Sequence, residues 1–503
     1  MEKGQHKNNK WLNIGAFFVF ALIILLRLWK VQEYFSFNFD EEYQATLAWS
    51  LVKDFHVIWI GVSTSGLKYY LGPGFTYLNW LLFKIGRGDP LMLAYFASIW
   101  GIVTSASVWY VTSRLVNKKA ALFAALLYGV SAFFIFYDRR FWNPLPIPFI
   151  SIWMVYTLTK AKENSRWLIV SAILMASAYH VHLSLMVFWP VFLYVIFSLR
   201  KKIHITTWAL MFGSYLLVTS PLIVFDFVHN FDNILAPLRF IQSSADGRTT
   251  QGVGLMETMI SHGQIIMQSL GKILFLKPFT NIQEEHNLGA YGGAATNPPL
   301  FLSLVAFGIV AWFVKKNIKV EKLSIVVITL IVYAILFVMY SGVAGSYFIL
   351  APLTLVTVAF GWFLGRIDIR PAVLLAAIFT LTSTTTIVTA TQERFGLKIR
   401  KEIVIESMHY LKDEPFALEI YGKDPRKYHP YGGWRYLYKA YGRTPVASFA
   451  DEPFGWIYPD ELSSLLPTYT LVIHEDLNKK PDGRIIATIK KGAYTAYVIQ
   501  NKK

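Results

Sequence analysis

The stretch Leu67-Lys68-Tyr69-Tyr70-Leu71-Gly72-Pro73-Gly74-Phe75-Thr76-Tyr77-Leu78-Asn79-Trp80-Leu81-Leu82-Phe83-Lys84-Ile85-Gly86 decides the topology of everything after it. It is apolar and has about the 20 residues that a membrane span needs. Its first third, however, holds Gly72-Pro73-Gly74, a turn signal that helix interiors avoid. Charge settles the choice. With the N-terminus inside and 67–86 not spanning, the inner connections carry Lys3, Lys7 and Lys10; Arg114, Lys118 and Lys119; Lys160, Lys162 and Arg166. They continue with Arg200, Lys201 and Lys202; Lys315, Lys316, Lys319 and Lys322; Arg366 and Arg370. The short outer connections around 181–184 and 342–346 carry no lysine or arginine. This is the positive-inside pattern. If 67–86 crossed the bilayer, every later basic cluster would face out. The stretch is therefore read as interfacial or re-entrant.

Around it, the chain is a series of apolar runs. Spans are expected at about 11–31, 91–113, 119–137, 143–160, 167–182, 184–199, 205–226, 298–314, 322–341, 345–365 and 370–391, eleven in all. The odd number leaves three large outer segments: about 32–90, about 227–297, and the tail after about 392. The tail is charged throughout and has turn signals such as Asp413-Glu414-Pro415 and Pro481-Asp482-Gly483. A helix is expected over about 398–412, with strands at Phe416–Ile420 and Tyr494–Ile499. The fold expected is an all-α polytopic membrane domain over 1–391, with a small α/β extracytoplasmic domain over 392–503.

Composition agrees. Of 503 residues, 54% are hydrophobic and 16% charged, against about 25% charged in an ordinary soluble domain. The net charge of +17 sits mostly between apolar runs, so it reports topology and not a nucleic-acid partner. The 16 Trp, 28 Tyr and 38 Phe suit interfacial belts. The absence of cysteine excludes disulfides, thiolate catalysis and Cys-ligated metal. The first apolar run is followed by no small-residue cleavage site and reads as a retained first helix. The expected location is the plasma (inner) membrane, with the N-terminus cytoplasmic and the tail outside.

Chemistry-bearing residues collect at the expected outer face. Asp40-Glu41-Glu42 follows the first span and opens an amphipathic stretch with Ala45, Ala48, Trp49 and Val52 on one side. Asp40 can cap a helix there, with the glutamates in its first turn, where the dipole favours negative charge. A positioned carboxylate can equally act as a general base toward a hydroxyl. The residues alone leave both readings standing. Arg139 and Arg140, in an outer hairpin, oppose the positive-inside trend. Guanidinium groups suit phosphate, and that reading is preferred over arginines reaching for lipid headgroups with Asp138 as partner. His180 and His182 could bind metal or phosphate. A spacing of two does not place both on one helical face, so at least one structural histidine is the favoured reading. Lys68 and Tyr69 could line a headgroup site or anchor the interface. His286 is a metal-ligand candidate, with a surface loop as the preferred alternative.

In order, these motifs resemble those of GT-C fold glycosyltransferases, in particular glycosyltransferase family 39, the protein O-mannosyltransferase and aminoarabinose transferase group. The likeness covers about residues 10–390. Arg27-Leu28 and Asp40-Glu41-Glu42-Tyr43 resemble the family's opening, and Leu71-Gly72-Pro73-Gly74-Phe75-Thr76-Tyr77-Leu78 its Pro-containing juxtamembrane segment. Arg114–Leu122 resembles its basic turn, and Ser346-Tyr347-Phe348-Ile349-Leu350-Ala351-Pro352 the Tyr-rich start of a late helix. The resemblance implies a polyprenyl-phosphate sugar donor, Asp40 as catalytic base, Glu41 near the donor or a metal, and Tyr347 among the substrate contacts. The aminoarabinose group carries a Glu-Lys-Pro-Pro stretch where this chain has Leu67-Lys68-Tyr69-Tyr70, with a single proline at 73. The acidic metal ligand of that stretch is thus missing. No cofactor is required, and a divalent metal ion stays open.

The expected function is transfer of a sugar from a polyprenyl-phosphate donor to a hydroxyl of a glycan, lipid or protein at the outer face, with inversion. The alternative is a lipid or sugar transporter or flippase, which predicts charges near helix centres and inverted repeats. Neither stands out in the sequence.

Overall fold

A computed structural model describes residues 2–64, 69–245, 254–276, 297–340, 346–390, 392–422, 432–475 and 480–501. All eleven apolar runs are helical. Among the described residues, eight helices are long and apolar enough to cross a membrane: Trp11–Leu28, Leu91–Leu115, Leu183–Lys202, Ile205–Val228, Leu300–Asn317, Glu321–Val338, Tyr347–Arg366 and one beginning at Ile369. A ninth is the pair Lys118–Val130 and Ala132–Asp138, bent by 59°. The other two, Ile147–Ala161 and Trp167–Ala178, have 15 and 12 residues. At 1.5 Å per residue the shorter covers about 18 Å of a hydrocarbon core about 30 Å thick. The count by length is therefore eight or nine, not eleven. Ile147–Ala161 lies largely inside the bundle, whereas Trp167–Ala178 buries one face and leaves Val170 and Ile173 exposed.

The deciding stretch holds no helix long enough to span by itself. Its helix runs only Gly74–Gly86, 13 residues, and packs against the helix Phe39–Lys53. Before it the chain is extended: Leu71 N–H donates to Val62 O at 2.9 Å, and Ser63–Thr64 pairs antiparallel with Tyr69–Tyr70. The described residues of segment 227–297, read as one outer loop, include the helices Asp232–Ala245 and Leu255–Leu274. The second packs against Leu300–Asn317 and Glu321–Val338, so part of that loop belongs to the bundle wall.

The tail forms a helix, Leu397–Leu411, on a five-stranded mixed sheet. Across the sheet the strands run Ala447–Ser448, Phe416–Tyr421, Tyr469–Glu475, Tyr494–Gln500 and Arg484–Lys491. The first three are parallel; Tyr494–Gln500 is antiparallel to both its neighbours. Strands Phe416–Tyr421 and Tyr469–Glu475 alternate or run buried, as a sheet covered on one face requires.

The tail is bonded to the segment that follows the first span through buried polar groups. The Glu42 carboxylate accepts the Gly433 N–H at 2.6 Å and the Tyr436 N–H at 3.0 Å, capping the helix Trp434–Tyr441 from almost 400 residues away. Gly433 has φ +92°, and a Cβ there would strike Phe37 O. Arg400 donates to Phe37 O and, at 2.6 Å, to Gly432 O, with its guanidinium over Trp434. Tyr436 Oη donates to Gly88 O at 3.0 Å. Glu42→Ala strands two buried donors, at about 1–3 kcal/mol for such a loss. The expected result is faster amide exchange over 432–441 with the bundle unaffected. Unchanged exchange there would show that the cap does not hold the tail.

Candidate active site

Asn38, not Asp40, is the N-cap of the helix Phe39–Lys53. Glu41 turns back to accept the Asn38 N–H at 3.0 Å, which closes the first turn. Successive residues on a helix lie about 100° apart, so the three acids diverge. Asp40 is half-exposed, Glu41 is fully buried beneath it, and Glu42 points to the tail.

Arg140 meets the first two. Its Nε and Nη2 donate to Glu41 Oε1 at 3.2 and 3.1 Å, and Nη2 lies 3.4 Å from Asp40 Oδ2. Its guanidinium stacks on Trp142 at 4.2 Å. Burial raises the Glu41 carboxyl above its ordinary range, opposed by the Arg140 charge. Burial alone would lower Arg140, but the Glu41 and Asp40 charges carry it above its usual value. Burial likewise raises Glu42, opposed by its two backbone N–H donors.

An aromatic wall continues from Arg140. Tyr347 meets the edge of Trp142 at 5.2 Å, and His182 meets Tyr347 at 5.5 Å and Phe348 at 5.2 Å. Tyr347 is within electrostatic reach of both Asp40 and Arg140. His182 Nδ1 accepts the Ser184 N–H at 3.1 Å, and burial lowers the imidazole to about 4, so the ring is neutral at physiological pH. Asp40, Glu41, Arg140, His182 and Tyr347 thus form one group, joined by Trp142, to which sequence reasoning gave no role.

Other expected site residues fall elsewhere. Arg139 does not accompany Arg140: its Nη2 donates to Leu26 O at 3.1 Å and Trp29 O at 2.9 Å, ending the first span, and its guanidinium covers Tyr34. Adjacent residues leaving a helix point in different directions, and sequence spacing treated the two arginines alike. Asp138 is the buried partner of Arg27, with the Tyr128 hydroxyl donating to it at 3.1 Å. This ion pair fixes the turn that presents Arg140.

His180 is a structural histidine: Nδ1 accepts the Gly74 N–H at 3.0 Å and Nε2 donates to Val218 O at 2.9 Å. A Cβ at Gly72 would overlap this ring, so the Gly-Pro-Gly turn and His180 fit only together. Tyr69 is buried with Leu71 and Ala236, away from Arg140. Lys68 and His286 lie outside the described residues.

Among the described residues no three His, Asp or Glu side chains converge as a metal site. Glu41 does not fit a ligand role: its carboxylate is buried, one oxygen accepts Arg140 and the other a backbone N–H. A cation there would also face the guanidinium. A cavity of about 330 Å³, lined by Gly74, Phe75, Leu78, Pro146, Val181 and Val218 among others, adjoins this region. Phe75 stacks on Phe141 at 4.9 Å, next to Arg140.

Residues 71–225 match the family model described as dolichyl-phosphate-mannose-protein mannosyltransferase. No curated protein matches the sequence. The fold is similar to ArnT from Cupriavidus metallidurans bound to undecaprenyl phosphate, with a TM-score of 0.57 at 11% identity over 97% of this chain and 98% of that one. It is similar also to apo ArnT from the same organism, with a TM-score of 0.58 at 10% identity over 98% of each chain. The architecture is that of the GT-C membrane glycosyltransferases, as the sequence resemblance implied, and the protein is an integral multi-pass membrane protein.

Proposed function

We propose that this protein is a membrane glycosyltransferase that moves a sugar from a polyprenyl-phosphate donor to an acceptor hydroxyl, with inversion. The observation that carries the reading is the half-exposed Asp40 carboxylate held beside the buried Arg140–Glu41 pair in a GT-C fold. Asp40 accepts the hydroxyl proton while that oxygen attacks the anomeric carbon. The carbon–oxygen bond to phosphate breaks as the new one forms, and polyprenyl phosphate leaves with the negative charge. Arg140 supplies positive potential on the leaving side, with Tyr347 and the neutral His182 lining it. The apolar cavity beside Phe75 suits an isoprenoid chain. The transporter alternative gains no support: Arg27 and Asp138, charges within the bundle, form a buried ion pair with each other.

The test is incubation of the purified protein in nanodiscs with a panel of polyprenyl-phosphate sugars. Release of free polyprenyl phosphate that depends on an added hydroxyl acceptor is expected. Binding of none of the panel, or of polyprenyl phosphate itself, would refute the reading.

The orientation belongs to the same proposal: N-terminus inside, tail outside, in the plasma membrane. The domain division near residue 391 follows from it, since the chain would leave the bilayer there. Single-cysteine variants of this cysteine-free chain test it. Ser463→Cys on the tail should react with an impermeant maleimide on intact cells, and Lys118→Cys should not. Labelling of Lys118→Cys alone would invert the topology.

A further inference from the structure

The tail presents an aromatic face beside Asp40 that the proposed reaction does not yet use. Tyr43 is three residues after Asp40 on the same helix, so the two side chains are neighbours, about 5–6 Å apart at Cβ. Phe454, from the tail, stacks on Tyr43 at 5.8 Å and lies 4.8 Å from Phe39. Trp456 follows, 6.2 Å from Tyr43, yet its surface is 66% exposed.

This loop is held firmly. Buried Arg435 pairs with Asp451 at 3.2 Å and Glu461 at 3.0 Å, and its guanidinium lies 3.6 Å over Tyr458. Tyr458 Oη donates to Asp451 at 3.1 Å, and Trp456 Nε1 donates to Pro453 O at 3.0 Å, which sets its ring. A large ring left open on a braced loop is preorganised for a ligand, because little side-chain entropy remains to be lost. Tyr43 adds a polar handle: among the described residues no group hydrogen-bonds its hydroxyl. Burial raises that phenol to about 12, so it remains a donor.

We propose that Trp456, Tyr43 and Phe454 form the acceptor subsite, and that the acceptor is a neutral carbohydrate. This rests on the sugar-transfer reading above and names its acceptor class. One face of a sugar ring is C–H surface and lies on Trp456; a hydroxyl bonds to Tyr43; a further hydroxyl reaches Asp40, three residues back along the helix. Charge narrows the class. Asp40 and the exposed Asp460, four residues after Trp456, are acidic, whereas the neighbouring cations Lys53 and Lys439 are paired with Glu461. An anionic acceptor would be repelled. An extended peptide has little to read: the strand leading into this loop, Ala447–Ser448, is two residues long and offers almost no backbone edge.

The experiment uses the full chain in nanodiscs and three probes: neutral manno-, galacto- and arabino-trioses, a Ser/Thr-containing peptide, and polyprenyl monophosphate. At least one triose should bind the wild type, about tenfold more weakly in Trp456→Ala, with most of the affinity retained in Trp456→Phe. Polyprenyl monophosphate should bind all three proteins alike. No triose binding by the wild type, equal binding by wild type and Trp456→Ala, or peptide binding lost in Trp456→Ala would each overturn the proposal. Failure of the wild type to bind polyprenyl monophosphate would instead overturn the transferase reading, so the two failures are told apart.

Discussion

Asp40→Asn should leave the fold and donor binding nearly intact while lowering sugar transfer by about 10²–10⁴-fold, the usual range for general acid–base catalysis. The reason is local. The helix cap is Asn38 and the capping partner is Glu41, so Asp40 carries neither duty and its amide costs the helix little. Its one ionic contact, 3.4 Å to Arg140, is supplementary to the closer bonds that Arg140 makes with Glu41. What the amide cannot do is take a proton. The measurement is transfer by purified wild type and variant with the donor that the panel identifies. Near-normal transfer by Asp40→Asn would leave Asp40 as a surface acid in the first turn of a helix. Glu42→Gln should act differently, through tail docking, because Glu42 faces Gly433 and Tyr436.

Arg140→Ala should be the most damaging single change to stability. It removes the guanidinium that pairs with the fully buried Glu41 carboxylate, and breaking a buried pair from one side costs about 3–5 kcal/mol. The expected result is a clear fall in thermal unfolding temperature in detergent, with weaker polyprenyl phosphate binding in whatever fraction remains folded. Adding Glu41→Gln should restore part of the stability, since the stranded charge is then gone, but not the lipid-phosphate affinity. Arg140→Lys should recover less than full function, because an ammonium cannot direct two donors of one planar group at Glu41 Oε1 while lying flat on Trp142. Equal stability of Arg140→Ala and wild type would mean that Glu41 is protonated in the native protein and needs no partner. Arg139→Ala, by contrast, should loosen the end of the first span without weakening lipid-phosphate binding.

The membrane architecture was legible because it is written in one dimension. Apolar length is a property of consecutive residues and survives to the fold; the helix Gly74–Gly86 is short where the Gly-Pro-Gly turn said it would be. Direction was not legible. Arg139 and Arg140 have the same chemistry and adjacent numbers, yet one ends a helix and the other meets the acids, because the turn after Asp138 sends them apart. Long-range partners were equally hidden. Nothing near Glu42 announces Gly433, and nothing near Asp40 announces Trp456. The two short helices were overcounted as spans because burial by neighbours leaves the same apolar composition as contact with lipid.

The bond from Glu42 to Gly433 also bears on how the molecule is made. Chains are made from the N-terminus, and residue 42 is in place long before residue 433 exists. Until then the carboxylate that will cap the tail helix has no donor, and the segment carrying Asp40 lacks the surface it finally rests on. The protein therefore matures late: insertion of the bundle comes first, and competence arrives only when most of the tail has been made and has closed onto the first loop. Chains that stop before that point would lodge in the membrane and stay silent, so a half-built enzyme cannot act on the lipid around it.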